Sequence, residues 1–547
     1  MENGSREASI ALADEMSSQQ SLWSSARRAR VVCSMLLVIV LGGALLVRGW
    51  LIRESLPYCR HVDEKTWVQI AMRMMRDGDL NPHRFTKPSV MVYTTTAGMS
   101  LGLIRSSSKQ DTKRPRDLGK RAYPYYKVPS AVEVPKLLFA LASVLGMGMA
   151  GLCARMLGRK EWLVVLAPVL CCGSATYLFF SWEYINADII GACFILATIT
   201  NLLVGHQRHP EGADGLDLAI VQGVLVGFTL GCKYNLFPIA VPYLLYVALY
   251  VRHRAVSRGV TFLVAMSAGF VLSTPYSLFA LNELLHGAAA EASHYASDHR
   301  GKFTPSGWPM LLKYLGDLRD SYGMFTLLVA LLGVGRSLRN NWRLALVAFS
   351  FPVAFLAYMS NQRVFFERNG VSVHLFVAIA AAIGLDDLLR LARLATERNR
   401  VLSRLRPWSK RALVYSPLSV FIALFPWQSV WAAHSLEIES RRTVVRELPA
   451  LAAKGSALLV DKRLNLDARP LDPWFRVSSF DGDKKRPAKL ADKVKPGTII
   501  VTPAGNRILI ENLMGKGAEV LLRAGTRRLR RDGHANRGDP KLVVLRR

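Results

Sequence analysis

Cysteine and acid are what this chain of 547 residues has least of, with 7 Cys, and 40 Asp plus Glu against 71 Lys plus Arg. Cys33, Cys153, Cys171, Cys172, Cys193 and Cys232 lie in or beside apolar runs, and Cys59 alone falls in a loop. That distribution excludes a disulfide framework and a zinc-finger spacing. No internal repeat is present, so neither a solenoid nor the two related halves of many transporters is indicated. The acid deficit leaves a net charge of +31, which in a soluble protein would point to nucleic acid. Here the basic residues fall between apolar runs, the pattern of cytoplasmic loops facing anionic lipid, so no nucleic-acid partner is expected.

At 51% hydrophobic content the chain is too apolar for ordinary soluble domains, and a polytopic α-helical membrane protein is expected. Residues 1–30 are polar, end in Arg27, Arg28 and Arg30, and read as a cytoplasmic tail before a retained anchor over 31–51. Further apolar runs lie at 134–155, 161–180, 188–205, 219–232, 236–250, 259–281, 321–338, 343–360, 371–387 and 412–433. With 88–104 as a short, threonine-rich candidate, about 11 to 13 transmembrane helices are expected within a membrane domain at 31–433. If 88–104 does not cross, the loops carrying Arg155–Lys160, Arg252–Arg258, Arg336–Arg343 and Arg390–Arg411 all fall inside. The basic stretch 105–133 is the exception. The same parity puts the segments around Asp63, Lys87, 181–187, Lys233, 282–320 and 361–370 on one outer face. Asp386–Arg406 mixes arginine and apolar residues at helical spacing, as a cytoplasmic surface helix does. From 434 to 547, short β-branched runs at 456–460, 497–501, 518–522 and 541–545 predict a small soluble extracytoplasmic α/β domain.

The outer loop 52–133 carries the chemistry. Asp63 and Glu64 follow the first span, and Lys87-Pro88 comes 23 residues later. An acid pair beside a cationic phosphate-binding candidate is what an enzyme needs if its base works at a membrane surface on a lipid-phosphate substrate. Asp63 is the candidate base and Lys87 the candidate phosphate ligand. Glu64 and Asp188 are candidates to orient the acceptor, to raise the basicity of Asp63, or to share a divalent cation. Arg363, Arg368 and Lys233 are further phosphate candidates. His294 and His299 join Asp63 and Asp188 as candidate ligands for Mg or Mn. Each has a structural alternative: a favourable helix N-terminal charge for Asp63 and Glu64, snorkelling for Lys87, a buried partner for Asp188, and a turn for Lys233.

Four stretches carry a resemblance: HVDEKTWVQIAMRMMRDGDLNPHRFTKPSVMVY, SWEYINADIIGACF, GVLVGFTLGCKYNLFPIAVPYLL and FFERNGVSVHLFVAIAAAIGLDDL. In this order they resemble the first outer loop, second acidic site, Gly-rich helix ending in Lys and Arg-containing stretch of the GT-C glycosyltransferases. The nearest branches are the protein O-mannosyltransferases and lipid A aminoarabinose transferases. Ser89 stands at the family's second proline, Thr86 at an acid of some members, and Lys136 where arginine is common. The resemblance implies an inverting membrane glycosyltransferase moving a sugar from a polyprenyl-phosphate donor to a hydroxyl on a glycan, lipid or protein. The implied setting is a bacterial inner membrane with the site facing the periplasm, or an endoplasmic reticulum membrane. A transporter or flippase of a lipid-linked sugar is the alternative from another class.

Overall fold

The computed structural model describes residues 2–56, 58, 61–107, 129–208, 216–297, 303–399, 406, 408–409 and 412, and in the C-terminal part 440–461, 464, 466, 469–471, 473–480, 491–492, 494–504, 506–524 and 542–547. Cys59, His299, most of 105–133 and all but the first residue of 412–433 lie outside the described residues. The chain is mainly helical: α1 (Glu2–Ser55), α2 (Val62–Asp77), α3 (Val90–Ser107), α4 (Ser130–Gly158), α5 (Leu163–Cys172), α6 (Ala175–Trp182), α7 (Ala187–Arg208), α8 (Leu216–Cys232), α9 (Ala240–Tyr250), α10 (Ala255–Ser273), α11 (Leu281–Ala296), α12 (Trp308–Ser360) and α13 (Val371–Arg398).

Five helical stretches among the described residues are long and apolar enough to cross a membrane: Arg27–Ser55, Ser130–Gly158, Ala187–Arg208, Arg252–Ser273 and Trp308–Ser360. The α5–α6 pair, bent by 75°, makes a sixth if it counts as one span. The chain is a multi-pass membrane protein; the expected 11 to 13 helices also drew on shorter apolar helices such as Leu216–Cys232 and on 412–433, nearly all of which lies outside the described residues. Several apolar runs fold as short or broken helices, and composition does not report a break. The run at 161–180 is divided at Gly173-Ser174, where the Ser174 hydroxyl caps α6 by accepting from the Tyr177 N–H at 3.1 Å. A second bond ties Ser174 Oγ to His374 Nδ1 at 2.9 Å, and His374 Nε2 lies 3.2 Å from Asp317 Oδ2. The break is thus pinned to α12 and α13. The stretch Trp308–Ser360 leaves helical geometry at Gly323 and at Asn341, and the break at Asn341 separates the runs at 321–338 and 343–360. Asn341 Oδ1 accepts from the Leu344 N–H at 3.1 Å and restarts it. Residues 282–320, expected as loop, hold α11 and the opening turns of α12. The expected surface helix from Asp386 continues α13 without a break as far as Arg398.

Small residues set the tightest crossings. Gly223, Gly227 and Gly231 recur every four residues along one face of α8, and Gly269 of α10 meets that face. A Cβ on Gly223 would sit 2.5 Å from the Phe262 carbonyl oxygen, and one on Gly269 2.6 Å from that of Val224. The α4 helix is central and packs against α1, α3, α5 and α7.

The C-terminal part contains α14 (Ser440–Leu451), β1 (Ala457–Asp461), β2 (Arg476–Phe480), β3 (Ile499–Pro503), α15 (Arg507–Met514), β4 (Glu519–Ala524) and β5 (Leu542–Arg546). The sheet order is β2-β1-β3-β5-β4, with β1 parallel to β2 and β3, and β5 antiparallel to β3 and β4. Alternation divides the core: Ile499 and Val501 pack with Val444 and Leu448 of α14, while Ile500 packs with Leu509 and Leu513 of α15. Arg442 Nη1 lies 3.4 Å from Glu54 Oε2, and Arg441 stacks 4.5 Å over Tyr58, so this part docks at the C-terminal end of α1.

Because the contact at Gly227 is with backbone, Gly227→Val is expected to lower the thermal unfolding temperature in detergent. Gly259→Val, at a position where a Cβ meets nothing within 4 Å, is expected to leave it unchanged.

Candidate active site

Four helix ends meet at one end of the bundle. His61 caps α2: its backbone is extended and its Nδ1 accepts from the Asp63 N–H at 3.1 Å. The ring is held flat against Tyr184, centroids 3.9 Å apart at 8°. From that start Asp63, Thr66 and Trp67 share one helix face, at spacing i, i+3 and i+4, and that face lines a cavity of about 290 Å³. Arg84, Thr86 and Lys87 line it from the segment leading into α3, Ala290, Glu291, His294 and Tyr295 from α11, and Phe366 and Arg368 from the turn before α13. Three cations thus face two carboxylates, an excess of positive charge suited to an anion.

Arg368 ties the site together. Its Nη1 donates to Asp63 Oδ2 at 2.6 Å and to the Tyr184 hydroxyl at 3.4 Å, and its Nε lies 3.9 Å from Asp188 Oδ2. Behind it, Lys233 Nζ donates to Asp188 Oδ1 and to Asn369 Oδ1, both at 2.6 Å, and the Tyr295 hydroxyl donates to the same Asn369 oxygen at 3.2 Å. Lys87 Nζ sits 4.0 Å from Asp63 Oδ2 and 5.5 Å above the Trp67 ring. Among the described residues it makes no hydrogen bond.

The electrostatics follow from these distances. Burial alone would push the Asp63 carboxyl upward, but the charges of Arg368, Lys87 and His61 and the Arg368 hydrogen bond outweigh it and bring the pKa to about 2. Burial, with the like charges of Arg368 and Lys233, brings Lys87 down to about 8 against the pull of Asp63 and Glu291. The expectation that neighbouring acids raise the basicity of Asp63 is therefore corrected: cations dominate its surroundings.

Of the sequence candidates, Asp63, Lys87, Arg368 and His294 line the cavity, with Asp188 and Lys233 immediately behind Arg368. Glu64 does not line it. Consecutive helix residues diverge by about 100°, so Glu64 joins Val68 and Ala71 on the buried face of α2. There it pairs with Lys136 Nζ at 3.1 Å, and the same ammonium donates to the Glu183 carbonyl at 2.8 Å. Arg363 is exposed and, among the described residues, contributes backbone bonds, its N–H donating to the Tyr295 carbonyl at 3.0 Å and its carbonyl accepting from the Thr304 N–H at 2.9 Å. Of the candidate Mg or Mn ligands, Asp63 and Asp188 are bridged by the Arg368 guanidinium, and His299 lies outside the described residues. Among the described residues no three His, Cys, Asp or Glu side chains gather to hold a metal. Sequence reasoning missed Arg84, Glu291 and Tyr184. For Tyr184 the signal was its place in the acidic stretch SWEYINAD; Glu291 lay in what read as an undivided loop.

No protein-family model matches the chain, and no curated protein matches it. Solved structures similar to it include ArnT from Cupriavidus metallidurans in the apo state, at 16% identity over 94% of this chain and 98% of that one, with a TM-score of 0.48. The same protein bound to undecaprenyl phosphate gives 15% identity, 93% and 97% coverage and a TM-score of 0.49. The archaeal oligosaccharyltransferase AglB from Archaeoglobus fulgidus, in complex with an inhibitory peptide and a dolichol-phosphate, gives 11% identity, 85% and 69% coverage and a TM-score of 0.48. These likenesses are at low identity and assign no residue and no substrate.

Removing one partner of a buried ion pair leaves the other charge unpaired. Lys136→Ala is expected to destabilise the protein by about 3–5 kcal/mol, measured by thermal unfolding in detergent, and the double change Glu64→Gln with Lys136→Met to recover most of that loss.

Proposed function

We propose that the chain is an integral membrane glycosyltransferase that moves a sugar from a polyprenyl-phosphate donor to a hydroxyl acceptor on a glycan, lipid or protein. The observation that carries the reading is the cavity wall in which a carboxylate, Asp63, stands against a guanidinium and an ammonium, Arg368 and Lys87, at 2.6 and 4.0 Å. Lys87, Arg368 and Arg84 hold the donor phosphate. The acceptor oxygen forms its bond to the anomeric carbon from the face opposite the phosphate, the carbon–oxygen bond to phosphate breaks with the electron pair leaving on phosphate, and the acceptor proton passes to Asp63. Inversion follows from that geometry.

At rest Asp63 is a poor base, because its negative charge is spent on two cations. An arriving phosphate competes for Arg368 and Lys87, weakens their hold on Asp63 and raises its basicity where the acceptor is bound. Asp188 and Lys233 act by keeping Arg368 in place. The cavity lies at the small end of the range for ligand sites, about 300–1,000 Å³, and suits a phosphate with one sugar ring. The parity that places the basic loops in the cytoplasm places this end of the bundle, and the C-terminal part docked there through Arg442 and Glu54, on the extracytoplasmic side of a bacterial inner membrane.

Asp63→Asn is expected to cut sugar transfer in purified membranes by about 10²- to 10⁴-fold while the protein stays folded. Wild-type-like transfer would remove Asp63 from the base role, and movement of the sugar lipid across vesicles without its consumption would replace the enzyme with a transporter. Donor-phosphate affinity is also expected to depend on pH. Lys87 is charged below about 8 and loses its proton above it, so polyprenyl-phosphate binding weakens as pH rises through that value. In Lys87→Ala the step disappears from an equilibrium binding titration.

A further inference from the structure

Glu291 is the carboxylate in the cavity that the proposed chemistry does not use. Its surroundings differ from those of Asp63. Asp63 is clamped by Arg368, whereas Glu291 makes no hydrogen bond and no ion pair within 4.0 Å among the described residues. The helix that carries it is firmly placed. Gly287, one turn earlier on α11, packs so closely on the segment leading to Lys87 that a Cβ there would lie 2.5 Å from the Phe85 carbonyl oxygen. Phe85 is itself anchored, its carbonyl accepting from the Tyr234 hydroxyl at 2.9 Å. One turn later the His294 ring stacks on Phe366 at 17°, and the Arg368 guanidinium lies 4.6 Å over that same Phe366.

A carboxylate repels a phosphate, so its partner in a ligand held by Lys87 and Arg368 is the uncharged portion of that ligand. In a sugar phosphate the portion one bond from the phosphate is a ring bearing hydroxyls. A carboxylate offers two oxygens that accept from a pair of hydroxyls in short, charge-assisted bonds. We infer that Glu291 is a specificity-determining residue that accepts hydrogen bonds from hydroxyls of the transferred sugar and fixes the ring's orientation over Asp63. This rests on the reading of Lys87 and Arg368 as the phosphate subsite. It favours the sugar-bearing lipid, a phosphodiester with one negative charge, against the spent carrier, a monoester whose second charge the cations alone would hold more tightly.

The test is equilibrium binding to full-length protein in detergent, with bare polyprenyl monophosphate and with a panel of polyprenyl-phosphate hexoses and pentoses as probes. In wild-type protein at least one panel member is expected to bind more tightly than the bare lipid. In Glu291→Gln that preference falls by about 10- to 100-fold, while the bare lipid binds as tightly as before or more tightly, since a repelling charge has gone. Glu291→Asp recovers part of the preference. Equal loss for bare and sugar-bearing lipid would mean a structural role and overturn the inference, as would an unchanged preference in Glu291→Gln or no preference in the wild type. If wild-type protein binds none of these lipids, bare lipid included, the phosphate subsite falls and the role of Glu291 with it.

Discussion

The guanidinium of Arg368 organises the cavity, because it reaches carboxylates from two different helices. Asp63 comes from the first turn of α2 and Asp188 from the first turn of α7; each would be costly in a half-dry site without a cation. Lys233 neutralises Asp188 from the far side, which leaves Arg368 directed mainly at Asp63. The outcome is a chain of alternating charge, ammonium to carboxylate to guanidinium to carboxylate, running from the buried interior to the cavity. Lys87 stands at its open end, held by the Trp67 ring and a long ion pair.

In the proposed mechanism that arrangement keeps the base and the phosphate ligands in mutual check. Two cations hold the Asp63 carboxyl down, and the same two are the groups an incoming phosphate would engage. A site of this kind holds its base in a weakly basic form until an anion arrives. The partly buried setting makes the exchange effective, since water screens these charges less than it would at an open surface.

Much of this site was legible in the sequence, and the exceptions have physical causes. Loop charge grouped Asp63, Lys87, Asp188, Lys233 and the 361–370 segment on one face, and the structure brings them within a few ångströms of one another. Glu64 looked equivalent to Asp63 because it is adjacent to it. The helix turns it by about 100° onto the face of Val68 and Ala71, a separation that the 3.6-residue period already contained. Arg363 shares the 361–370 segment with Arg368, but only a tertiary fold could show that its side chain points outward. Glu291 and Arg84 were hidden because their importance depends on α11 docking onto the Lys87 segment through Gly287. The break at Gly173-Ser174 depends on His374, some two hundred residues later, which no local pattern reports. Four of the five strands among the described C-terminal residues were marked by β-branched apolar runs. The fifth, Arg476–Phe480, is a largely exposed edge strand of sequence RVSSF, with little apolar character to reveal it.

The most direct measurement is a structure of the full-length protein with polyprenyl phosphate bound. The account expects phosphate oxygens within hydrogen-bonding distance of Lys87 Nζ and the Arg368 guanidinium, and an Arg368–Asp63 separation longer than the 2.6 Å of the free site. A phosphate bound elsewhere, with the Arg368–Asp63 contact intact, would contradict it.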